Sequence, residues 1–316
     1  MQAKDISNIS VIGAGMIAPG VAQVFATRNY NVSIYARRAE ALTQARESIR
    51  ANLTMMADRG LGLKSAIEPA ISRIKTSTDL AEAAGDAQLI IECLSENMEL
   101  KQKFFQDLDH ICSADTILAS NTSVMSITEI AARSDRRERI VGTHFWNPPY
   151  LIPLVEVTKA KDTSDEVMEA TYQVLKAAGK HPVKCLKDVP GFIANRLQHA
   201  LWREAISMVA NGICDAASVD EALKNSFAIR LPVLGPMETA DMIGLDLTLS
   251  IHDYILKYIE SSPGPSPLLE EKVKKGELGF KTGQGFQTWS AEAVAKSKSN
   301  LLEYLIEWTK REQGKA

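Results

Sequence analysis

Up to Lys187 the apolar positions fall in short runs separated by stretches with helical spacing, and the pattern predicts strands alternating with helices. The first run, Asn8-Ile9-Ser10-Val11-Ile12, leads straight into Gly13-Ala14-Gly15-Met16-Ile17-Ala18-Pro19-Gly20 and an apolar helical segment at 21–26. Residues 31–36 alternate as a second strand, and 40–59 place apolar residues at helical spacing in a charged background. Further strands are predicted at 89–93, 117–120, 140–145 and 154–159, with helices such as 100–111 and 164–178 between most of them and a last β-like run at 182–184. Such an order specifies an α/β fold, a mostly parallel, doubly wound Rossmann-type sheet. Its ligand crevice lies beyond the carboxyl ends of the strands.

The pattern changes at Asp188-Val189-Pro190-Gly191, a turn-prone break. Beyond it the periodicity is helical: 192–210, then 218–225 with Ser218 as N-cap and Glu221 three residues on, then 246–258, and finally 291–311 with Leu301, Leu302, Leu305 and Ile306 on one face. Pro263-Gly264-Pro265-Ser266-Pro267 reads as a rigid loop. Two domains are expected, a dinucleotide-binding domain at 1–187 and an all-α domain at 188–316.

Composition narrows the classes of function. A net charge of -3 gives no global attraction to nucleic acid or to an acidic membrane surface, so partners of both kinds are disfavoured. Cys93, Cys112, Cys185 and Cys214 are scattered, without a CxxC pair or histidines at metal-ligand spacing, which suits reduced thiols in a cytosol and predicts neither disulfides nor zinc. No signal-peptide or membrane-spanning run is read, and a cytoplasmic protein is expected.

The opening glycine turn carries the first chemistry. Gly13 permits a sharp turn, Gly15 lets the backbone approach a pyrophosphate without an intervening Cβ, and Ala18 keeps the helix close to the strand. The phosphates would lie on free amides at the helix start, the segment Met16-Ile17-Ala18, where Pro19 lacks only an N–H that has no helical partner. In a NAD site the second strand ends in an acid that binds both ribose hydroxyls; here Tyr35 is followed by Ala36-Arg37-Arg38. No carboxylate repels a 2′-phosphate and two guanidiniums can fork onto one, so NADP(H) is favoured over NAD.

Three polar segments follow apolar strands: Ser120-Asn121-Thr122-Ser123, His144-Phe145-Trp146-Asn147-Pro148-Pro149 and Gly191-Phe192-Ile193-Ala194-Asn195-Arg196. Hydride transfer between an alcohol and a nicotinamide needs a group that exchanges the hydroxyl proton near neutral pH, and His144 fits that need. Glu156, twelve positions later on the next strand, would fix the imidazole in a hairpin-like return. The Tyr-x-x-x-Lys spacing of other reductases occurs once, at Tyr172/Lys176, and reads as a helix-surface pair.

These segments, with Ile90-Ile91-Glu92-Cys93, Glu96-Asn97, Lys101, Gly235-Pro236-Met237-Glu238 and Gly279-Phe280-Lys281-Thr282-Gly283-Gln284-Gly285-Phe286, resemble the L-3-hydroxyacyl-CoA dehydrogenase family over nearly the whole chain. That family includes L-carnitine dehydrogenase, L-gulonate 3-dehydrogenase and lambda-crystallin. The resemblance implies a Rossmann domain, a helical domain that forms a homodimer, and an NAD(P)-dependent oxidoreductase that interconverts 3-hydroxyacyl-CoA and 3-ketoacyl-CoA. It makes His144 the general acid/base with Glu156 as its partner, sets Ser123 and Asn195 on the reacting oxygen, and puts Glu96, Lys101, Asn121, Asn147 and Lys281 near the cofactor. It also puts Asn52 and Arg59 where coenzyme A-binding members carry a serine and a lysine, a partial match.

Pro148-Pro149-Tyr150-Leu151-Ile152-Pro153-Leu154-Val155-Glu156 is more similar to the carnitine and gulonate branch, which oxidises small free hydroxy acids. That substrate class is one alternative; a catalytically silent, crystallin-like cofactor-binding protein is the other.

Overall fold

The computed structural model of the protein describes residues 2–314. Eight strands form one sheet: β1 (Asn8–Ile12), β2 (Asn31–Tyr35), β3 (Ile74–Ser77), β4 (Leu89–Glu92), β5 (Ile117–Ser120), β6 (Ile140–Phe145), β7 (Leu154–Lys159) and β8 (His181–Cys185), in the order β3-β2-β1-β4-β5-β6-β7-β8. Strands β1 to β6 are parallel; β7 runs antiparallel to β6, and β8 is parallel to β7. The doubly wound Rossmann-type sheet expected from the sequence is the sheet observed. Strand β3 was not legible because only Ile74 of its four residues is buried and it pairs with β2 alone.

Helices α1 (Ala18–Ala26), α2 (Ala39–Asp58), α3 (Ile67–Ser72), α4 (Leu80–Ala84), α5 (Met98–Ile111), α6 (Ile127–Ile130) and α7 (Asp165–Ala177) cover the two faces. Successive strand residues point to opposite sides: Val11, Ile91 and Ala119 pack with α1, α2, α3 and α7, whereas Ile12, Ile90 and Leu118 pack with α4, α5 and α6. Burial on both sides explains why the central strands read as unbroken apolar runs rather than alternating ones. Phe25 on one face and Phe105 on the other are wholly buried. Burying such a side chain contributes about 1.5–3 kcal/mol.

The glycine turn is built as the sequence requires at Gly13, whose φ of +117° and whose missing Cβ, which would lie 2.8 Å from the Cys93 carbonyl oxygen, both demand glycine. Ala18 is fully buried at the start of α1, and Gly20 permits a further close approach, since a Cβ there would lie 2.8 Å from Pro149 Cδ.

The remaining helices are α8 (Ala194–Ala210), α9 (Ala216–Lys224), α10 (Pro236–Ile243), α11 (Leu245–Ile255), α12 (Pro267–Lys274) and α13 (Ala291–Glu312). Two compact units divide within α8 and within α13: Arg196–Leu301 forms one, and the chain up to Asn195 together with the stretch from Leu302 onward forms the other. The expected boundary, 1–187 against 188–316, differs from this at both ends. Asp188 accepts from the Ser126 hydroxyl and the Ile127 and Thr128 amides, which ties the break itself to the sheet-bearing unit. Ile306, with Leu302 and Leu305, packs on Leu61 and Leu151 of that same unit.

In the helical unit α9 starts at Ala216 with Asp215 as its N-cap, accepting from the Ser218 amide at 2.7 Å, so Ser218 is inside the helix and not its cap. The proline-rich loop ends by opening α12, with Pro267 in its first turn. None of α9, α10, α11 or α12 contains a buried residue. Among the described residues no helix is long and apolar enough to cross a membrane.

Candidate active site

The antiparallel register of β6 and β7 sets His144 directly opposite Glu156, so their side chains share one face. His144 Nδ1 is 2.7 Å from Glu156 Oε2, and both side chains are buried. The other carboxylate oxygen accepts from the amides of Ile193 at 2.8 Å and Ala194 at 2.9 Å, at the start of α8. Gly191 and Phe192, with φ of +77° and +49°, form the tight turn that leads into those amides. Trp146 Nε1 lies 3.4 Å from Oε2, and the Trp146 and Phe192 rings flank the imidazole.

Burial raises the pKa of Glu156, but the hydrogen bonds from His144, Ala194 and Ile193 outweigh it and hold the carboxyl below its usual range. An ionised carboxylate only accepts, so the proton shared with it belongs to Nδ1 of His144, which makes Nε2 the basic nitrogen.

Ser123 and Asn195 come together: Asn195 Nδ2 donates to the Ser123 carbonyl at 2.9 Å. Asn121 and Glu96, both expected near the cofactor, hold this loop through protein contacts. Asn121 Oδ1 accepts from the Phe145 amide at 2.8 Å, beside His144. Glu96 accepts from the Thr122 hydroxyl and, at 2.7 Å, from the Ser123 amide.

Lys101, also expected near the cofactor or as a surface partner of Glu96, is only 1% exposed. Its ammonium meets Glu92 at 2.7 Å, the Leu94 carbonyl at 3.3 Å and Glu96 at 3.6 Å. Two hydrogen bonds and a longer ion pair hold the ammonium from within the protein, so Lys101 braces the carboxyl end of β4. Sequence reasoning missed its partner Glu92, which also accepts from Ser120 Oγ at 2.7 Å and the Leu94 amide at 2.6 Å. The available signal was an acid ending the buried run Leu89–Glu92.

At the glycine turn, α1 begins after Ile17 without a side-chain cap and with no acid in its first turn. Its leading amides are therefore left for an anion, and beyond its chain neighbours no atom lies within 4 Å of a Cβ placed on Gly15. This turn fits a dinucleotide pyrophosphate. Met16 is 88% exposed beside it, and Asn147 Nδ2 is 3.9 Å from the Met16 sulfur. Arg37 and Arg38 are exposed just past the end of β2, whose Tyr35 carbonyl accepts from the Gly13 amide at 2.8 Å.

Asn52 is half-buried on α2, and Arg59, at the end of α2, is paired with Glu303. Lys281 is exposed in the helical unit, on the turn closed by the Gly279–Gln284 bridge. Tyr172 is covered by Lys184, whose ammonium sits 4.9 Å from the ring centroid.

The depressed pKa of Glu156 has a direct consequence for stability. Between its folded value and the ordinary glutamate value of about 4.3 the unfolded chain binds more protons, so the carboxylate's contribution is complete above that pH and is lost as pH falls through the folded value. Denaturant titrations should therefore show wild type and Glu156→Gln farthest apart above about pH 5 and converging as the medium is acidified. A gap that widens in acid contradicts the assignment.

Residues 8–189 match the 3-hydroxyacyl-CoA dehydrogenase NAD binding domain, and residues 191–289 match the C-terminal domain of the same family. The 5-formyl-3-hydroxy-2-methylpyridine 4-carboxylate 5-dehydrogenase of Mesorhizobium japonicum is 32% identical over 301 residues, covering 95% of this chain and 96% of that protein. A probable 3-hydroxybutyryl-CoA dehydrogenase of Bacillus subtilis is 38% identical over 283 residues, covering 89% and 97%. Among solved structures, a 5-formyl-3-hydroxy-2-methylpyridine 4-carboxylic acid 5-dehydrogenase described as an NAD+ dependent dismutase superposes with a TM-score of 0.90 at 30% identity, over 98% of this chain and 100% of that one. The glycine turn, the buried His144–Glu156 contact and these matches place the chain in the 3-hydroxyacyl-CoA dehydrogenase family, NAD-dependent oxidoreductases that act on a CH–OH group.

Proposed function

We propose that the chain is a dehydrogenase of a hydroxyl group β to a carboxyl-derived group, with His144 as the general acid/base and Glu156 as the residue that positions it. The observation that carries this reading is the 2.7 Å contact between a buried imidazole and a carboxylate anchored by two backbone amides. A bound nicotinamide supplies the hydride acceptor. In the oxidative direction His144 Nε2 takes the hydroxyl proton, and the ionised Glu156 stabilises the imidazolium that results. Ser123 and Asn195 hydrogen-bond the reacting oxygen and hold its carbon for transfer. In reduction the same proton returns from Nε2.

The Gly13–Ala18 turn would hold the dinucleotide, with the exposed Arg37 and Arg38 available to its adenosine end. The absence of an acid after Tyr35 supports NADP(H) over NAD(H).

The helical unit favours a homodimer. Helices α9 to α12 bury nothing within the chain, while Trp202 on α8 and Leu245, Leu249 and Ile251 on α11 are exposed. A helical unit with no core of its own needs a partner, and a second copy supplies the same apolar faces in a self-complementary arrangement.

Three measurements test these assignments. With acetoacetyl-CoA and a panel of free hydroxy and keto acids as substrates, His144→Gln should lower kcat by about 10²–10⁴-fold with dinucleotide affinity kept; undiminished turnover rejects the role of His144. Replacing Arg37 and Arg38 together by alanine should weaken NADPH binding about tenfold or more, the equivalent of one charge-assisted hydrogen bond, and leave NADH nearly unchanged. A wild type that prefers NADH, or an equal loss for both dinucleotides, rejects the cofactor assignment. In sedimentation equilibrium the wild type should have the mass of two chains and Leu249→Glu should shift it toward one; a wild-type single chain rejects the dimer.

A further inference from the structure

We infer that the last turns of α13 withdraw Arg59 from coenzyme A, so that the substrate taken by this site is a small free acid and not a coenzyme A thioester. The inference rests on the dehydrogenase reading above and adds to it the class of substrate.

Both family matches end by residue 289, and α13 begins at Ala291, so this helix lies outside the two matched stretches. From Leu302 onward it belongs to the sheet-bearing unit. Ile306 is fully buried there, and Leu302 and Leu305 pack with it against Leu61, Leu151, Met55 and Met56 at the end of α2. The packing sets Glu303 beside Arg59, and one guanidinium nitrogen engages both carboxylate oxygens.

Arg59 is the one basic residue that the family resemblance offers for coenzyme A on α2. Coenzyme A carries a 3′-phosphate and a pyrophosphate, and docking them on a protein surface requires cations that lack counter-charges. At the end of α2 Arg59 is matched by Glu303, and nearby cations are paired as well, Lys64 with Asp58 at 2.7 Å and Lys310 with Glu307 at 2.7 Å. A phosphate reaching for Arg59 meets the Glu303 carboxylate at the same place, and the helix that carries Glu303 is held by an apolar contact that does not yield to salt. The exposed ion pair by itself is weak; its effect comes from being fixed on a packed helix. A free acid brings no such phosphates and needs no surplus of positive charge there.

Titration calorimetry with acetoacetyl-CoA, the oxidised dinucleotide NADP+ being present so that no hydride can transfer, on wild type, Glu303→Ala, Arg59→Ala and the double variant reads this directly. Both residues are partly exposed, so the substitutions leave the core intact. The expected result is binding about tenfold tighter in Glu303→Ala than in wild type, a gain that disappears in the double variant, and wild-type turnover faster with acetoacetate than with acetoacetyl-CoA. Equal affinity of wild type and Glu303→Ala for the thioester, measurable or absent, overturns the inference, as does wild-type turnover faster with the thioester. Thioester affinity is read without catalysis, so a failure of the His144 assignment shows in turnover alone and stays distinct from a failure here.

Discussion

Glu156 is the group on which the arrangement depends. A buried carboxylate without partners costs several kcal/mol, and this one, on β7, is satisfied by two other segments of the chain: the imidazole on β6 and the amides that open α8. Those partners are the reason the positions are locked. The reversal of direction at β7 makes the arrangement possible, because an antiparallel neighbour needs only the link 146–153, whereas a parallel one needs a crossover of about a dozen residues or more.

A second buried pair, Lys101 with Glu92, has the same role on the neighbouring strands. It holds the carboxyl ends of β4 and β5 together through Ser120, while Glu96 and Asn121 shape the loop that carries Ser123. Such a pair contributes little net stability, since desolvation offsets most of the attraction, but losing either partner would strand the other charge in the core. Its use is positional. Polar residues that read as cofactor ligands in the sequence thus form the frame on which the candidate catalytic residues stand.

The two units differ in how their apolar residues are used. In the first, strand residues alternate between two filled cores; in the second, helices of the same amphipathic character bury nothing inside the chain. By periodicity alone Trp202, Met208 and Val209 on α8 fit either a core or an interface, since periodicity reports that a face is apolar and not what covers it. The 49% exposure of Trp202 separates those readings within one chain.

Local stereochemistry and short-range pattern are legible in the amino-acid order. Gly13 had to be glycine at positive φ, the apolar runs had to be central strands, and twelve residues with a turn between them had to return Glu156 toward His144. Strand β3 and the cap of α9 escaped because their signals are weak or duplicated within a few residues: one buried isoleucine, and an aspartate and a serine three positions apart. Where the charges go is set by long-range packing. Lys101 turned inward to Glu92, Arg59 was claimed by Glu303 from the far end of the chain, and α13 returned to the sheet-bearing unit. The physical reason is range: a backbone turn is set by neighbouring residues, whereas the partner of a charged side chain is whichever opposite charge the long-range packing brings within reach.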